Sequence, residues 1–405
     1  MKALVFERSA AKIAASRVAG SFVPGRGARF GPLRLASVDE PRPPGPEWVR
    51  VRPLLAGICG SDLATLDGHS SRYFEPLVSF PFVPGHEVVG QLDDGSRVVL
   101  EPVLGCQARG VEPPCRECAT GDTGDCERVA FGHLRPGLQT GYCADTGGGW
   151  SSALVAHRSQ LHPVPHGLSD RDAVMVEPAA CAVHGALRGS TEGALVVVLG
   201  AGTLGLCTVA AVRRLGLPGT LVAVAKHPDQ RQFAAELGAD LVVEPHGMRR
   251  AVRLQTRSLA VDGRLTGGAD VVIDCVGSAE SLSGSLAVVR PRGQVVMLGM
   301  PEPFRVDLTP LWHREIALLG AYAYGSEPHA GGRPAARTFD LAFELVGDAG
   351  LGRLVSATYP LERYREAVEH AAAAGRRGAV KVAFDLRTQR STQSTQRSTQ
   401  SRRTA

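Results

Sequence analysis

Residues 194–205 read ALVVVLGAGTLG, a continuous apolar run that ends in three closely spaced glycines. An apolar run of this kind is typical of a strand buried in a parallel sheet, and residues 206–215 can form the next helix. Glycines between such a strand and such a helix allow backbone amides and the helix N-terminus to receive a pyrophosphate. The context predicts a dinucleotide-binding unit with cofactor contacts at Gly200, Gly202, Thr203, Leu204 and Gly205.

Similar apolar runs recur further along the chain. They occupy residues 221–225, 269–273 and 294–298, and helical stretches lie between them. Strands that alternate with helices in this way predict an α/β fold with a doubly wound parallel sheet.

The end of the strand predicted at residues 221–225 bears on the choice of dinucleotide. In such units an acidic residue at this point binds the adenosine ribose and disfavours a 2′-phosphate. Here the position falls on Ala225, which is followed by the cation Lys226. We therefore expect NADP(H) in preference to NAD(H). The alternative is that Lys226 is an exposed turn residue and the ribose is held by other groups.

Two motifs near the N-terminus carry metal-binding side chains. Residues 57–62 read GICGSD and residues 84–90 read PGHEVVG. A catalytic zinc ion takes three protein ligands from thiolates, imidazoles and carboxylates and keeps one position open. Taken singly, Cys59 could be a loop thiol and His86 a buried, hydrogen-bonded histidine. A zinc-bound histidine needs a hydrogen-bond acceptor on its other ring nitrogen, and Asp62 could supply it.

Together these two motifs resemble those of the zinc-dependent medium-chain dehydrogenases, the alcohol and polyol dehydrogenase superfamily. The resemblance covers about residues 33–386 and includes the dinucleotide motif in the same order. It implies that Cys59 and His86 bind catalytic zinc, that Ser61 relays the alcohol proton and that Asp62 supports the zinc-bound histidine. It also implies a β-rich GroES-like catalytic domain beside a Rossmann sheet.

A single carboxylate interrupts the apolar stretch at residues 174–185. Burial of a lone charge is costly unless the charge is paired or binds a metal. In the sorbitol, threonine and glucose dehydrogenase branch, a Glu-Pro pair at this place gives zinc a carboxylate ligand, which implies that role for Glu177. Cys181 is the competing candidate, and Glu87 is an occasional or water-mediated ligand. His184 is expected to pack in a helix.

Four cysteines lie in a stretch rich in Gly, Pro and Asp, and they suit a closed, structural zinc site with four thiolates. In the zinc lobe of the family that they resemble, fewer residues separate the first cysteine from the second. The alternative is a lobe that keeps three cysteines and no metal, with Cys106 outside the group. The four candidate zinc ligands are Cys106, Cys115, Cys118 and Cys126.

Another cysteine, Cys143, is expected to be a core thiol.

The resemblance also divides the chain into segments. We expect a catalytic domain at 1–165 with its zinc lobe at about 104–128, a Rossmann domain at 166–320 and a return to the catalytic domain at 321–387. Residues 388–405 repeat Ser, Thr, Gln and Arg and cannot bury enough apolar surface to offset their ordering entropy. They are predicted to form a disordered tail.

Two further segments are harder to interpret. Residues 9–30 are longer than the corresponding connection in the family, and Gly20, Pro24 and Gly25 favour a loop there. His69 lies in the region that rims the substrate cleft in the family. It is either a substrate contact or an exposed loop histidine.

Charge and composition exclude some classes of partner. The net charge is +5, but four arginines of the terminal segment account for most of it, so the body is nearly neutral and carries no basic cluster for nucleic acid or a membrane surface. No apolar run approaches the roughly 20 residues that cross a bilayer, and nine cysteines without a disulfide pattern indicate a reducing compartment. A cytoplasmic protein is expected. The four arginines are Arg390, Arg397, Arg402 and Arg403.

The predicted function is a zinc-dependent transfer of hydride between an alcohol, such as a polyol, sugar or amino alcohol, and NAD(P). By the resemblance, Val276 and Gly299 lie on the nicotinamide side, and the protein is a homo-oligomer, either a dimer or a tetramer. Two alternatives remain open. One is a zinc-independent double-bond reductase of the same fold, and the other is a non-catalytic nucleotide-binding protein.

Overall fold

The fold is described from a computed structural model, in which residues 1–327 and 335–387 are described. The predicted tail at 388–405 lies outside these residues. No helix in the described ranges is both long and apolar enough to cross a membrane.

The N-terminal part of the chain is built mainly from short strands. Its elements are β1 (Lys2–Phe6), α1 (Ala10–Phe22), α2 (Gly27–Phe30), β2 (Leu33–Ser37), β3 (Trp48–Gly57), α3 (Gly60–Leu66), β4 (Val88–Gln91), β5 (Arg97–Leu100), α4 (Arg116–Thr120), β6 (Leu154–His157) and β7 (Leu161–Pro163).

Helices and strands then alternate. The elements of this part are α5 (Asp170–Ala173), α6 (Val176–Arg188), β8 (Leu195–Leu199), α7 (Thr203–Ala211), β9 (Thr220–Val224), α8 (Pro228–Glu236), β10 (Leu241–Val243), α9 (Met248–Thr256), β11 (Ala260–Val261), β12 (Arg264–Leu265), β13 (Ala269–Asp274), α10 (Ala279–Val288), β14 (Val289–Met297), α11 (Thr309–His313) and β15 (Ala317–Gly320).

The C-terminal part mixes both kinds of element. It contains β16 (Ser326–Glu327), β17 (Ala336–Arg337), α12 (Thr338–Ala349), β18 (Val355–Tyr359), α13 (Tyr364–Ala372) and β19 (Lys381–Asp385), with a short 3₁₀ turn at Ala374–Arg377 between the last two.

The alternating part forms one six-stranded sheet in the order β10-β9-β8-β13-β14-β15. Every neighbouring pair in it is parallel. The order reverses next to β8, and in sheets of this kind a dinucleotide binds at that switch point. The doubly wound parallel sheet predicted from the apolar runs is confirmed.

The strands at the two ends of the chain combine into a second sheet. Its order is β18-β19-β3-β4-β5-β7, and β6 also pairs with β3. β19 runs antiparallel to β3, which places Ala383 opposite Gly57. The C-terminal strand therefore lies beside the segment that leads into the GICGSD motif.

The loop predicted for residues 9–30 is wrong, because the segment forms α1 and α2. Ser9 caps α1, since its side chain accepts a hydrogen bond from the amide of Lys12. The packing of α1 on Asp67 requires a glycine at position 20, because a Cβ there would lie 2.7 Å from the carboxyl carbon of Asp67. The Asp67 carboxylate also accepts hydrogen bonds of 2.8 Å from the amides of Gly25 and Gly27.

Candidate active site

The two N-terminal motifs meet in a buried group of metal-ligating atoms. The ligand atoms of Cys59, His86 and Glu87 all lie within 4.8 Å of one another. Cys59 immediately precedes α3, and His86 and Glu87 immediately precede β4. A left-handed backbone at Gly85, with φ of +97°, brings that segment against Trp150, where a Cβ would lie 2.4 Å from the indole ring.

Asp62 and Ser61 contact the same histidine from α3. The Asp62 carboxylate lies 3.6 Å from His86 Nδ1, and within the described residues neither of these two atoms has a hydrogen-bond partner. The hydroxyl of Ser61 lies 3.5 Å from His86 Nε2. Asp62 also accepts a hydrogen bond of 3.0 Å from the amide of Cys59, so one carboxylate positions both the thiol and the imidazole.

Burial governs the charges of this group. It raises the pKa of Asp62 above its ordinary value. Burial by itself disfavours a charged His86, but the negative charges of Asp62 and Cys59 outweigh it and raise the pKa of that imidazole well above its usual range. The pocket as a whole therefore attracts positive charge.

Glu177 approaches from α6 but does not belong to the group within 4.8 Å. Its side chain is buried and interacts electrostatically with His86 and Glu87. Its one hydrogen-bond partner in the described part of the chain is the thiol of Cys181, at 3.7 Å. Burial raises the pKa of Glu177 to about 7, although the charges of His86 and Lys381 oppose this effect. In the described residues the Glu177 carboxyl forms no ion pair.

Glu87 differs because a cation already compensates it. The ammonium group of Lys381 contacts its carboxylate, and both side chains are almost completely buried. Lys381 Nζ also donates a hydrogen bond of 3.2 Å to the carbonyl of Ile58, next to Cys59. Sequence reasoning missed Lys381, although a lone lysine in the apolar run at residues 379–384 was a signal for it.

The second cysteine group is complete. The thiols of the four lobe cysteines lie within 4.8 Å of one another, and Cys106 is among them. Backbone amides point at the sulfurs, with 3.3 Å from Cys115 N to Cys106 Sγ and 3.3 Å from Arg128 N to Cys126 Sγ. Cys143 lies apart from them and is buried in a small apolar cluster.

The longer gap after Cys106 contains a buried arginine that holds the lobe together. The Arg109 side chain donates hydrogen bonds to the carbonyls of Leu104 at 2.9 Å and Phe131 at 3.1 Å, and also to that of Gly137. Burial lowers the pKa of this guanidinium. The extra residues thus add an internal brace to the lobe and do not displace Cys106 from the group.

The dinucleotide motif has the geometry that its glycines predict. Gly200 has φ of +97°, and a Cβ on Gly205 would lie 1.9 Å from the Gly200 carbonyl, so strand and helix pack too closely for a side chain there. Gly202 faces open space, since no atom lies within 4 Å of its Cβ position. α7 begins at Thr203, next to Leu204, so its first amides face that space. A pyrophosphate fits here.

The predicted nicotinamide-side residues lie together at the same edge of the sheet. A Cβ on Gly299 would lie 2.5 Å from the carbonyl carbon of Val276, and a Cβ on Gly200 would lie 2.6 Å from the Val276 side chain. Ala225 is buried directly after β9, and Lys226 is exposed. The ends of the four neighbouring strands β9, β8, β13 and β14 therefore lie side by side at this edge.

Two histidines have contacts outside the metal-ligating group. His69 lies 3.3 Å from the carboxylate of Glu302, which follows β14, so it connects the two halves of the molecule. His184 on α6 lies 2.8 Å from the buried carboxylate of Glu327, in agreement with a packing role. Tyr324, which is buried near Glu177, has a hydroxyl without a hydrogen-bond partner among the described residues.

Comparison with known proteins agrees with this geometry. Residues 45–166 match the alcohol dehydrogenase GroES-like domain, and residues 203–337 match the zinc-binding dehydrogenase family. The probable D-xylulose reductase A of Aspergillus fumigatus is 30% identical over 69% of this chain and 76% of its own length. The sorbitol dehydrogenase of Arabidopsis thaliana is 28% identical over 88% of this chain and 92% of its own length.

Solved structures give the same result. Alcohol dehydrogenase TADH from Thermus sp. ATN1 superposes with a TM-score of 0.66 at 26% identity, covering 95% of this chain and 99% of that one. A protein of Sinorhizobium meliloti 1021 crystallised with NADP superposes with a TM-score of 0.65 at 25% identity, covering 87% and 95%.

Fold and site together define the class of zinc-dependent alcohol oxidoreductases that use NAD(P). The chain belongs to the zinc-dependent medium-chain dehydrogenase family, and its relatives are polyol dehydrogenases.

Proposed function

We propose that Cys59, His86 and Glu177 hold the catalytic zinc ion and that the chain oxidises a secondary alcohol of a polyol or sugar. The observation that carries this proposal is the buried Glu177 carboxyl, which interacts electrostatically with His86 and forms no ion pair in the described residues. Glu87 is the less suitable third ligand because Lys381 already compensates its charge. A buried carboxylate without a cation is stable only beside a metal or when protonated.

When bound, zinc supplies a Lewis acid and the nicotinamide accepts a hydride. The residues of this chain do the rest. Asp62 holds the His86 ring through the 3.6 Å contact at Nδ1. The Ser61 hydroxyl lies beside the opposite ring nitrogen, where it can take the proton that the substrate alcohol gives up.

The cysteine lobe is proposed to hold a second, structural zinc ion through Cys106, Cys115, Cys118 and Cys126. Four thiols within 4.8 Å of one another, three of which accept hydrogen bonds from backbone amides, support this role. We also propose domain limits near residues 165 and 320. The strand ends support them, because β7 ends at Pro163 and β15 ends at Gly320.

We also propose NADP as the preferred cofactor. The residue after β9 is the buried, neutral Ala225, and the exposed cation Lys226 follows it. The NADP found in the related Sinorhizobium meliloti structure supports this choice. The ratio of kcat/KM for NADP to that for NAD tests it, and a strong preference for NAD would refute it.

A homo-oligomer is proposed from the edge of the parallel sheet. β15 is the last strand in that sheet, and Leu318 on it is exposed. Nearby, Trp312 is 79% exposed and Leu308 is 50% exposed. Large exposed apolar side chains beside an open sheet edge indicate a protein interface.

A panel of alcohols tests the activity itself. Zinc-loaded protein is assayed with polyols, sugars, amino alcohols and simple primary alcohols, with both cofactors. We expect the highest kcat/KM for a polyol or sugar. Turnover of activated double bonds alone would favour the zinc-independent reductase, and no turnover at all would favour a nucleotide-binding protein.

A matched pair of variants tests the third ligand. Glu177→Ala should lose the catalytic zinc ion, and Cys181→Ala should keep it, with metal content measured by atomic emission. The opposite result would assign the ligand role to Cys181.

A further inference from the structure

The turn Ala374–Arg377 between α13 and β19 contacts the part of the dinucleotide-binding sheet where the adenosine ribose is expected. A Cβ on Gly375 would lie 2.2 Å from the ring of His227 and 2.8 Å from the side-chain amide of Gln230. A Cβ on Gly378 would lie 2.5 Å from the carboxylate of Asp229. The turn therefore packs directly on the segment that follows Lys226.

The same segment also contacts the dinucleotide motif. The Thr203 hydroxyl donates a hydrogen bond of 3.3 Å to the carbonyl of Val380. Residues 374–380 thus run along the cofactor edge of the sheet from the ribose turn to the pyrophosphate turn. Both ends of the expected cofactor site border on a segment that returns from the other half of the molecule.

This edge carries three cations that have no ion-pair partner in the described residues. Lys226, Arg376 and Arg377 are exposed, and none of them forms an ion pair within residues 1–327 and 335–387. By contrast, Arg231 is engaged with Glu244 at 3.2 Å and with the Lys226 carbonyl at 3.0 Å.

The positive charges of Lys226 and Arg376 both act on the His227 side chain. Burial lowers the pKa of His227, and the positive charges of Lys226 and Arg376 lower it further. Asp229 opposes these charges at His227 but is the last and smallest contribution there, and Glu369 pairs with Arg29. His227 thus lies between one cation of the parallel sheet and one of the catalytic part.

The guanidinium groups of the turn have room beside them. A cleft of about 340 Å³ is lined by Arg376, Arg377 and Glu369 and, from the segment before α2, by Val23, Pro24 and Arg26. The exposed Arg376 side chain thus borders on open space.

We propose that Arg376 supplies, from the catalytic part of the chain, the second cation that binds the 2′-phosphate of NADP, together with Lys226. This inference rests on the NADP preference proposed above and names the residue that completes it. A guanidinium binds phosphate through two parallel N–H donors, which a lysine ammonium group does not provide. A phosphate held by both groups would connect the two halves of the molecule through the cofactor.

Binding of cofactor fragments tests the inference without turnover. Isothermal titration calorimetry of the full chain compares 2′,5′-ADP, which carries the 2′-phosphate, with 5′-AMP, which differs from it only in lacking that phosphate. We expect wild type to bind 2′,5′-ADP more tightly and Arg376→Ala to reduce the ratio of the two affinities about tenfold. Arg376→Lys should keep part of the ratio, and the ratio should fall as salt screens the exposed charges.

The control removes an arginine from the preceding helix. Arg365, whose guanidinium lies over the ring of Tyr364, is changed to alanine and should leave the ratio of affinities as it is in wild type. Binding of 5′-AMP by Arg376→Ala shows that the rest of the site is folded.

Two failures can be told apart. Equal binding of 2′,5′-ADP and 5′-AMP by wild type would overturn the NADP preference itself, and this inference with it. A wild-type preference for 2′,5′-ADP that Lys226→Ala abolishes and Arg376→Ala leaves intact would overturn the inference about Arg376 alone.

Discussion

The ammonium group of Lys381 lies against the carboxylate of Glu87, and their side chains are only 1% and 2% exposed. The pair joins the C-terminal strand to the segment that carries His86. Burial disfavours a charged lysine, but Glu87 and Cys59 outweigh that effect and raise the pKa of Lys381. Lys381 therefore stays charged, and its ammonium group lies at the edge of the metal-ligating group.

Lys381→Met should destabilise the protein because it leaves Glu87 as a buried charge without a partner. Removal of one member of a buried ion pair costs about 3 to 5 kcal/mol in the free energy of unfolding. Glu87→Gln combined with Lys381→Met should recover much of that loss, since no charge is left unpaired. Urea unfolding of the single and double variants measures this. Additive losses would show that the two groups do not interact.

Asp62→Asn and Ser61→Ala should separate metal binding from proton transfer. Loss of the carboxylate that orients a metal-bound histidine lowers metal affinity about 10-fold to 100-fold. Loss of the Ser61 hydroxyl should keep zinc but lower kcat by about 10²-fold or more, the usual contribution of a positioned proton-transfer group. Zinc content and kcat of each variant are compared. Unchanged kcat in Ser61→Ala would remove that residue from the mechanism.

Zinc affinity at the catalytic site should rise with pH. The pKa of Glu177 is raised to about 7 by burial, so this carboxyl is largely protonated below that pH and cannot bind a cation. The raised pKa of His86 acts in the same direction. We expect affinity for one zinc ion to fall as pH drops from about 8 to about 6, with proton release on binding. Competition with a chelator at several pH values measures it, and a flat profile would contradict this assignment.

Cys118→Ala and Cys106→Ala should each remove the structural zinc ion and lower the melting temperature. Each thiol is one of four donors in a closed site, so three donors remain in either variant. Cys143→Ala is the control, because Cys143 lies outside the group. If Cys106→Ala retained all its zinc, the lobe would bind metal through other atoms.

Trp312→Asp should weaken the oligomer. The side chain is exposed beside the open edge at β15, where a charge opposes an apolar contact between subunits. Sedimentation velocity at several concentrations should show a smaller species than wild type. A monomeric wild type would contradict the oligomer proposal.

The parts of the fold that depend on neighbouring residues could be predicted from the sequence. The apolar runs predicted the parallel sheet because a strand that is buried on both faces needs apolar side chains along its whole length. The glycines around Gly202 were also predictable, because the turn between strand and helix needs them locally. The motifs around Cys59 and His86 were readable because each ligand lies in its own short turn.

The remainder depends on contacts between distant segments. α1 was missed because its Gly20 packs on Asp67, which no local pattern shows, although the Ser9 cap and the absence of proline in the next residues were available signals. The Glu87 and Lys381 pair was missed because its members come from opposite ends of the chain. The hydrogen bonds of Arg109 to backbone carbonyls were also missed, because the segment between Cys106 and Cys115 was interpreted only as a departure from the family spacing.

Cys59 is proposed to be a ligand of a zinc ion that catalysis needs. Zinc content per chain and alcohol turnover are measured together for wild type and Cys59→Ala. We predict about two zinc ions in wild type, from one open and one closed site, and about one in the variant, with turnover lost. A Cys59→Ala protein that keeps both zinc ions and full turnover would contradict the account.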